Sequence, residues 1–193
     1  MSNSWRYDIE EGFLRGVGFY VRYLHQDQDR RSNAPDVILP ADVDDVVLGT
    51  DYRIGYLRLA GERQWHDSTL SPYDATRATA EYRLPLGVGS SLDFFGSYDL
   101  VDRTAENSSS TISTLKGRWS HRIDRNLSFA LTGTWRNEHE DPGGNVDAFE
   151  ERFEVTWKYR QTSVSGSIAH SIVDSDTDYS TYLTLQLGLR REF

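Results

Sequence analysis

Hydrophobic residues recur at every second position in the last stretch of the chain, residues 179–193. One phase of this alternation holds Leu183, Leu185, Leu187, Leu189 and Phe193. A helix would spread these residues around its circumference, whereas a strand places them all on one face. The alternation therefore predicts a β-strand with one apolar face.

The same period of two runs through most of the chain and predicts an all-β protein. The predicted strands are a short one at 5–9, then 17–24, 43–53, 56–67, 75–86, 90–103, 111–122, 126–138, 148–160, 163–173 and 180–193. Most have about 11–14 residues, which suits tilted strands that cross a bilayer, whereas strands of soluble sheets average about 5–6.

Short and long connections alternate between these strands. The short turns are 54–55, 87–90, 124–126 and 161–163, and the longer loops are 26–42, 68–74, 104–110, 138–147 and 174–179. An aromatic residue or His followed by Arg comes shortly before each short turn, at Arg53, Arg83, Arg122 and Arg160. Such recurrence of one hairpin unit indicates a repeated antiparallel architecture.

Each predicted strand has an apolar face and a polar face that carries both signs of charge. A soluble sandwich would also alternate, but strand length and the aromatics near strand ends favour a membrane barrel. The polar face would then line the lumen, with Arg77, Glu81, Arg83, Asp93, Asp99, Lys116, Arg118, Arg122, Arg136, Glu150, Arg152, Glu154, Lys158 and Arg160. The apolar face would meet lipid, with Phe153, Val155, Trp157, Tyr159, Leu183, Leu185, Leu187, Leu189 and Phe193.

This pattern resembles the outer-membrane β-barrels of bacteria, whose last strand alternates apolar residues and ends on Phe. Arg191 departs from that family, which usually has an apolar or aromatic residue there. The resemblance implies an antiparallel up-and-down transmembrane β-barrel with short periplasmic turns and longer extracellular loops. It also implies that the barrel-insertion machinery binds Phe193.

The number of strands leaves two alternatives. Bacterial single-chain barrels use even numbers, so residues 1–193 form either one barrel of about ten strands, with 5–9 not spanning, or the carboxy-terminal portion of a larger barrel. With 5–9 counted, there are eleven strands. The first residues, MSNSWRYDIEEG, have no basic and apolar signal segment; we expect that it was removed or that the sequence is part of a longer one.

Composition narrows the possible functions. The net charge of −9 argues against a nucleic-acid partner. The chain has no cysteine, which excludes disulfides and thiolate metal sites. Aromatic residues reach 12%, which is high for a chain with only 37% hydrophobic residues and is typical of the aromatic girdles of membrane barrels.

Candidate chemistry is sparse, and we expect no enzyme, no cofactor and no metal. The five histidines do not share a metal-ligand spacing, and the HExxH and GxSxG motifs are absent. His66-Asp67-Ser68 is superficially similar to the His-x-Ser of an outer-membrane lipid A deacylase, and His139 is the one candidate at the rim for an omptin-type protease. The other residues of both families are missing. Asp174, Asp176 and Asp178 lack the glycine and the distal glutamate of an EF-hand loop.

The predicted function is that of a passive pore, sheath or export channel in the bacterial outer membrane. Over most of its length the chain looks similar to the porins of porin–cytochrome conduits and to exopolysaccharide-export barrels. This resemblance implies lipid and lipopolysaccharide as surroundings, and a cytochrome or a polysaccharide-export protein as a partner. The alternatives are a structural or adhesive barrel with a closed lumen, and a barrel enzyme such as a rim-active protease or a lipid A-modifying hydrolase.

Overall fold

The computed structural model describes residues 1–10, 15–27, 42–68 and 71–191, and these residues form strands joined by turns. The strands are β1 Ser2–Asp8, β2 Val17–Asp27, β3 Asp42–Ile54, β4 Leu57–Ser68, β5 Tyr73–Pro85, β6 Ser90–Arg103, β7 Ser108–Arg122, β8 Leu127–Asp141, β9 Asn145–Tyr159, β10 Thr162–Ser175 and β11 Tyr179–Arg191. Within those ranges, no helix is long and apolar enough to cross a membrane.

The eleven strands form one sheet in chain order, from β1 to β11. The strand pairs β1–β2, β2–β3, β3–β4, β8–β9, β9–β10 and β10–β11 are antiparallel. The prediction of an all-β, antiparallel, up-and-down fold is therefore confirmed. The short first segment is a strand as well, since Ser2 pairs with Leu24 and Asp8 with Gly18, so the described residues contain eleven strands rather than ten.

Strand length also follows the prediction, since β3 to β11 have 12 to 15 residues each. Predicted and observed boundaries agree to within a few residues. Most of the predicted loop at 26–42 lies outside the described residues, and so does Phe193.

The chain forms two compact units. The first comprises Met1–Thr79, Tyr98–Thr111 and Glu140–Pro142. The second comprises Ala80–Ser97, Ile112–His139 and Gly143–Phe193.

In the first unit, strand register places the polar residues of β2, β3 and β4 on one face. Tyr20 pairs with Gly49, and Gly49 pairs with Glu62. Val47 lies on this face too and is only 1% exposed. Small and apolar residues thus form the floor of a face whose long side chains are polar.

In the second unit, the polar face has a floor of small side chains. Ala130, Thr132 and Ala169 are 5–6% exposed. Arg152 of β9 lies between Thr132 and Ala169, and Glu154 is the strand partner of Ala130. The long charged side chains of β9 therefore rise from the surface that the small residues form.

The short turns use backbone conformations that favour glycine. Gly55, between β3 and β4, has φ +56°, and Gly87 and Gly89, between β5 and β6, have φ +107° and +81°. Arg160 adopts φ +52° without being glycine. β9 ends at Tyr159, so Arg160 belongs to the turn and not to a strand face.

Candidate functional site: the polar strand face

Ion pairs occur on the polar face of the second unit, both between strands and within one strand. Arg83 lies 3.1 Å from Asp93, and Arg118 lies 3.0 Å from Glu154. Arg152 lies 3.2 Å from Glu150. Since ion-paired side chains project from the same side of the sheet, the two members of each pair share a face.

The first unit has a corresponding cluster of polar side chains. Arg6 bridges two carboxylates, at 2.7 Å from Asp8 and 2.9 Å from Asp51. Tyr20 donates a hydrogen bond to Glu62. A cavity of about 490 Å³ opens beside them, with Arg22, Arg58 and Thr79 also in its lining.

None of these residues of β1 to β4 is among the predicted lumen-lining residues. The signal was present, because 43–53 and 56–67 also alternate. The alternation is harder to recognise in β3, since Val47 and Gly49 stand among its polar positions. Arg77, which was predicted, belongs to the same unit and forms an ion pair with Asp99.

The ion pairs of the polar face are open to solvent. The arginine side chains of four of these pairs, Arg77, Arg83, Arg118 and Arg152, are 60%, 74%, 43% and 37% exposed. Ion pairs with this exposure contribute about 0–1 kcal/mol to stability. Stabilisation of the fold alone is therefore a weak reason for so many charges on one face.

The remaining predicted lumen residues divide into three groups. Arg136 lies 2.8 Å from Glu138 on its own strand, β8, and Glu81 shares its face of β5 with Arg83. Lys116, Arg122 and Lys158 make no ion pair with any residue that the structure describes. Arg160 is separate, because its guanidinium lies over the ring of Tyr159, 5.4 Å from the centroid.

From residue 163 to residue 171, the polar face of β10 carries only small side chains. These are Ser163, Ser165, Ser167, Ala169 and Ser171, which pair with Lys158, Thr156, Glu154, Arg152 and Glu150 of β9. A second cavity, of about 260 Å³, lies near the short turns and is lined by Arg118, Ser120, Arg122, Ser128 and Thr156, among others. Both features leave room for water beside the charged side chains of β9.

The opposite face of β9 and β11 is largely apolar and is exposed. Phe153 and Trp157 are 42% and 43% exposed, and Leu183 and Leu187 are 73% and 82% exposed. The predicted residues Val155, Tyr159, Leu185 and Leu189 lie on the same face. No second sheet or helix covers this face in the parts of the chain that the structure describes.

Aromatic residues gather on this apolar face at the short-turn end of the strands, as predicted. Trp157 and Tyr159 stack with their ring centroids 5.8 Å apart. Trp119 contacts Phe129 edge-on at 5.0 Å and donates a hydrogen bond to Ser90 at 3.2 Å. Tyr and Trp side chains with one wet and one apolar end suit a membrane interface.

The residues considered for enzymatic chemistry lie in different surroundings. His66 stacks on Tyr73 with their ring centroids 4.5 Å apart, and its Nδ1 is 3.9 Å from Asp45. Ser68 is only 7% exposed. His139 is exposed near the end of β8. Among the described residues, no group of three or more His, Asp or Glu side chains could hold a metal ion.

The fold is shared by solved outer-membrane proteins. In-vitro folded OmpT of Vibrio cholerae has a TM-score of 0.63 and 7% sequence identity, over 98% of this chain and 63% of that chain. A variant of OmpT without loop L8 has a TM-score of 0.58 and 10% identity, over 98% and 62%. The anion-selective porin from Comamonas acidovorans has a TM-score of 0.63 and 13% identity, over 98% and 58%.

At these identities, the similarity concerns the fold alone, and the fold is that of the outer-membrane β-barrels. The chain spans less than two thirds of each of these proteins. No family model and no curated protein matches the sequence.

Proposed function

We propose that this chain is an outer-membrane β-barrel protein that acts as a passive pore, sheath or export channel. The polar strand face lines a water-filled path, and the apolar face meets lipid and the acyl chains of lipopolysaccharide. No catalysis is part of this proposal. A cytochrome or a polysaccharide-export protein is the proposed partner, and the barrel-insertion machinery is proposed to bind Phe193.

The observation that carries the proposal is the exposure of the charged side chains on the polar face. Arg83 and Arg77 keep 74% and 60% of their side-chain surface in contact with solvent, although each is ion-paired. The small residues of β10 leave further space next to the charged side chains of β9. Charged side chains beside free volume suit a wet lumen in which ions pass and feel the charges.

Conductance in planar bilayers tests this proposal. The refolded protein should give stepwise single-channel currents. Replacing Arg118→Gln removes a positive charge from the polar face and should move the reversal potential in a salt gradient toward cation preference.

Arg63→Gln is the matched control for this measurement, because Arg63 lies on the apolar face, beside Trp65 and Asp74. It should leave the reversal potential unchanged. Equal effects of the two variants, or no current from protein that shows heat-modifiable migration on gels, would contradict the pore.

A structural or adhesive barrel with a closed lumen is the second candidate. Barrels of about 8 strands are filled by their side chains, and those of 16–18 strands enclose a channel. The eleven strands that the described residues form lie between these limits. A folded protein without current that binds through its long loops would favour this candidate.

A further inference from the structure

The cavity of about 260 Å³ near the short turns of the second unit has two free hydroxyl groups in its lining. They belong to Ser128 of β8 and Thr156 of β9, which are direct partners across these two strands. Neither hydroxyl makes a hydrogen bond to a residue that the structure describes. Two adjacent donors therefore line the cavity without a protein acceptor.

Two positive charges without ion-pair partners lie at this cavity. Arg122 is part of its lining. Lys158 lies two residues from Thr156 on the same face of β9, a distance of about 7 Å along a strand. Neither Arg122 nor Lys158 makes an ion pair within the described chain. The hydroxyl donors are thus accompanied by positive charge that no carboxylate of the described chain neutralises.

Gly89 keeps the space beside Arg122 open. The backbone N–H of Arg122 donates a hydrogen bond to the carbonyl oxygen of Gly89 at 2.7 Å. A β-carbon on Gly89 would lie 3.2 Å from Cβ of Arg122. Since Gly89 has no side chain, nothing from this turn fills the cavity that it lines.

Glu154 supplies an acceptor to the same lining. Its Oε2 lies 3.0 Å from Arg118, which is its only ion-pair partner within the described residues. Arg118 offsets the charge of this carboxylate, so the positive charges of Arg122 and Lys158 remain in excess. Oε1 of Glu154 can still accept one hydrogen bond.

We propose that this cavity binds hydrogen phosphate, HPO₄²⁻. The ion carries two negative charges, which Arg122 and Lys158 balance. Three of its oxygens are acceptors, and they match the guanidinium and the hydroxyls of Ser128 and Thr156. The fourth carries a proton, which donates to Oε1 of Glu154. Sulfate has the same charge and shape but no proton at neutral pH, so it would place an oxygen lone pair against this carboxylate. The site should therefore prefer phosphate to sulfate.

This inference deepens the proposed function, on which its biological role rests, because it names a solute for the polar path at the end with the short turns. The phosphate comes from a dissolved ion and not from a lipid headgroup, since the cavity belongs to the polar face and lipid meets the apolar one. Binding itself requires only the folded protein, so it can be measured without a current.

Titration calorimetry of the refolded protein tests the site, in maltoside micelles whose headgroups contain no phosphate. Inorganic phosphate at mildly alkaline pH should bind to one site, and sulfate should bind about tenfold more weakly. Equal affinities for the two anions, or no heat from phosphate, would overturn the proposal. Phosphatidylglycerol added to the micelles should not compete with phosphate, and competition would mean that the site takes lipid headgroups instead.

Arg122→Gln removes one charge from the site and should weaken phosphate binding about tenfold. Lys116→Gln is the matched control. Lys116 is a cation without an ion pair on the same face of β7, but six residues away, or about 20 Å along the strand. It should leave the affinity for phosphate unchanged. Equal losses in the two variants would indicate attraction by overall charge alone and would overturn the site.

Glu154→Gln tests the basis of the selectivity. The amide oxygen of glutamine can still accept from Arg118, whereas its NH₂ group donates to an anion instead of accepting from it. The variant should therefore bind sulfate more tightly and phosphate more weakly than the wild type, and an unchanged preference for phosphate would overturn the proposed contact. Channel currents report separately on the pore. Currents without phosphate binding would overturn this site alone, and phosphate binding without currents would overturn the pore alone.

Discussion

The ring of Tyr20 lies directly over Gly49 on the neighbouring strand. A β-carbon at position 49 would come within 2.1 Å of Cζ of Tyr20. Because the ring crosses β3 at this glycine, the Tyr20 hydroxyl reaches Glu62 on β4 and donates a hydrogen bond to it. One aromatic side chain thus spans three strands and covers the glycine between them.

Gly49→Ala should therefore destabilise the protein. The added methyl group would displace the ring and break its hydrogen bond to Glu62, with a loss of about 1–3 kcal/mol in the free energy of unfolding. Urea unfolding in micelles, followed by tryptophan fluorescence, measures it. Tyr20→Phe keeps the ring and should lose only about 1 kcal/mol. If Gly49→Ala were as costly in a Tyr20→Ala background, the explanation would be wrong.

Gly55 should be sensitive to substitution for a different reason. Its φ of +56° is unfavourable for a residue with a β-carbon, although nothing lies within 4 Å of the position that the β-carbon would take. Gly55→Ala should cost about 1 kcal/mol through backbone strain alone. Gly61→Ala is the control, because it has ordinary backbone and ordinary contacts, and it should be neutral or slightly stabilising. The same urea titration compares the two, and equal costs would argue against strain.

Asp124 should make the β7–β8 turn sensitive to acid. Its carboxylate accepts hydrogen bonds from the backbone N–H groups of Asn126, at 2.6 Å, and Leu127, at 2.8 Å. These two bonds lower the pKa of Asp124 below its ordinary value. Its contribution to stability is therefore present above the pKa of the unfolded chain and is lost as the pH falls through the lower pKa of the folded state.

The variant Asp124→Asn tests this pH dependence. Asparagine still accepts hydrogen bonds in the turn but does not titrate. The difference in unfolding free energy between wild type and variant should thus shrink as the pH falls from neutral through the folded pKa of Asp124. A difference that stays constant with pH would show that the carboxylate charge plays no part.

The ion pair of Arg83 and Asp93 should contribute little to stability. Nε of Arg83 lies 3.1 Å from Oδ1 of Asp93, and the two side chains are 74% and 35% exposed. A double-mutant cycle with Arg83→Gln and Asp93→Asn should give a coupling energy below about 1 kcal/mol, and 1 M salt should remove most of it. A coupling of several kcal/mol that resists salt would mean that the pair is dry, which would weaken the case for a wet lumen.

Much of the fold could be predicted from local patterns. Alternation at Leu183 and Leu185 is visible in the sequence, because strand geometry sends every second side chain to the same side. The short turns could also be predicted from local residues, such as Gly55 and Asp124. Arg160 was harder, since its left-handed φ is rare for arginine and no sequence pattern separates the last strand residue from the first turn residue.

The sequence by itself thus determined the strands, their order and the chemistry of their two faces, since all of these depend on residues close together in the chain. Only the tertiary structure decided which residues meet. Arg6 reaches Asp51, two strands away, and Glu151 is placed beside His170 rather than beside Ser171. Register depends on the residue at which each turn reverses the chain, and a shift by one residue would move every side chain to the other face.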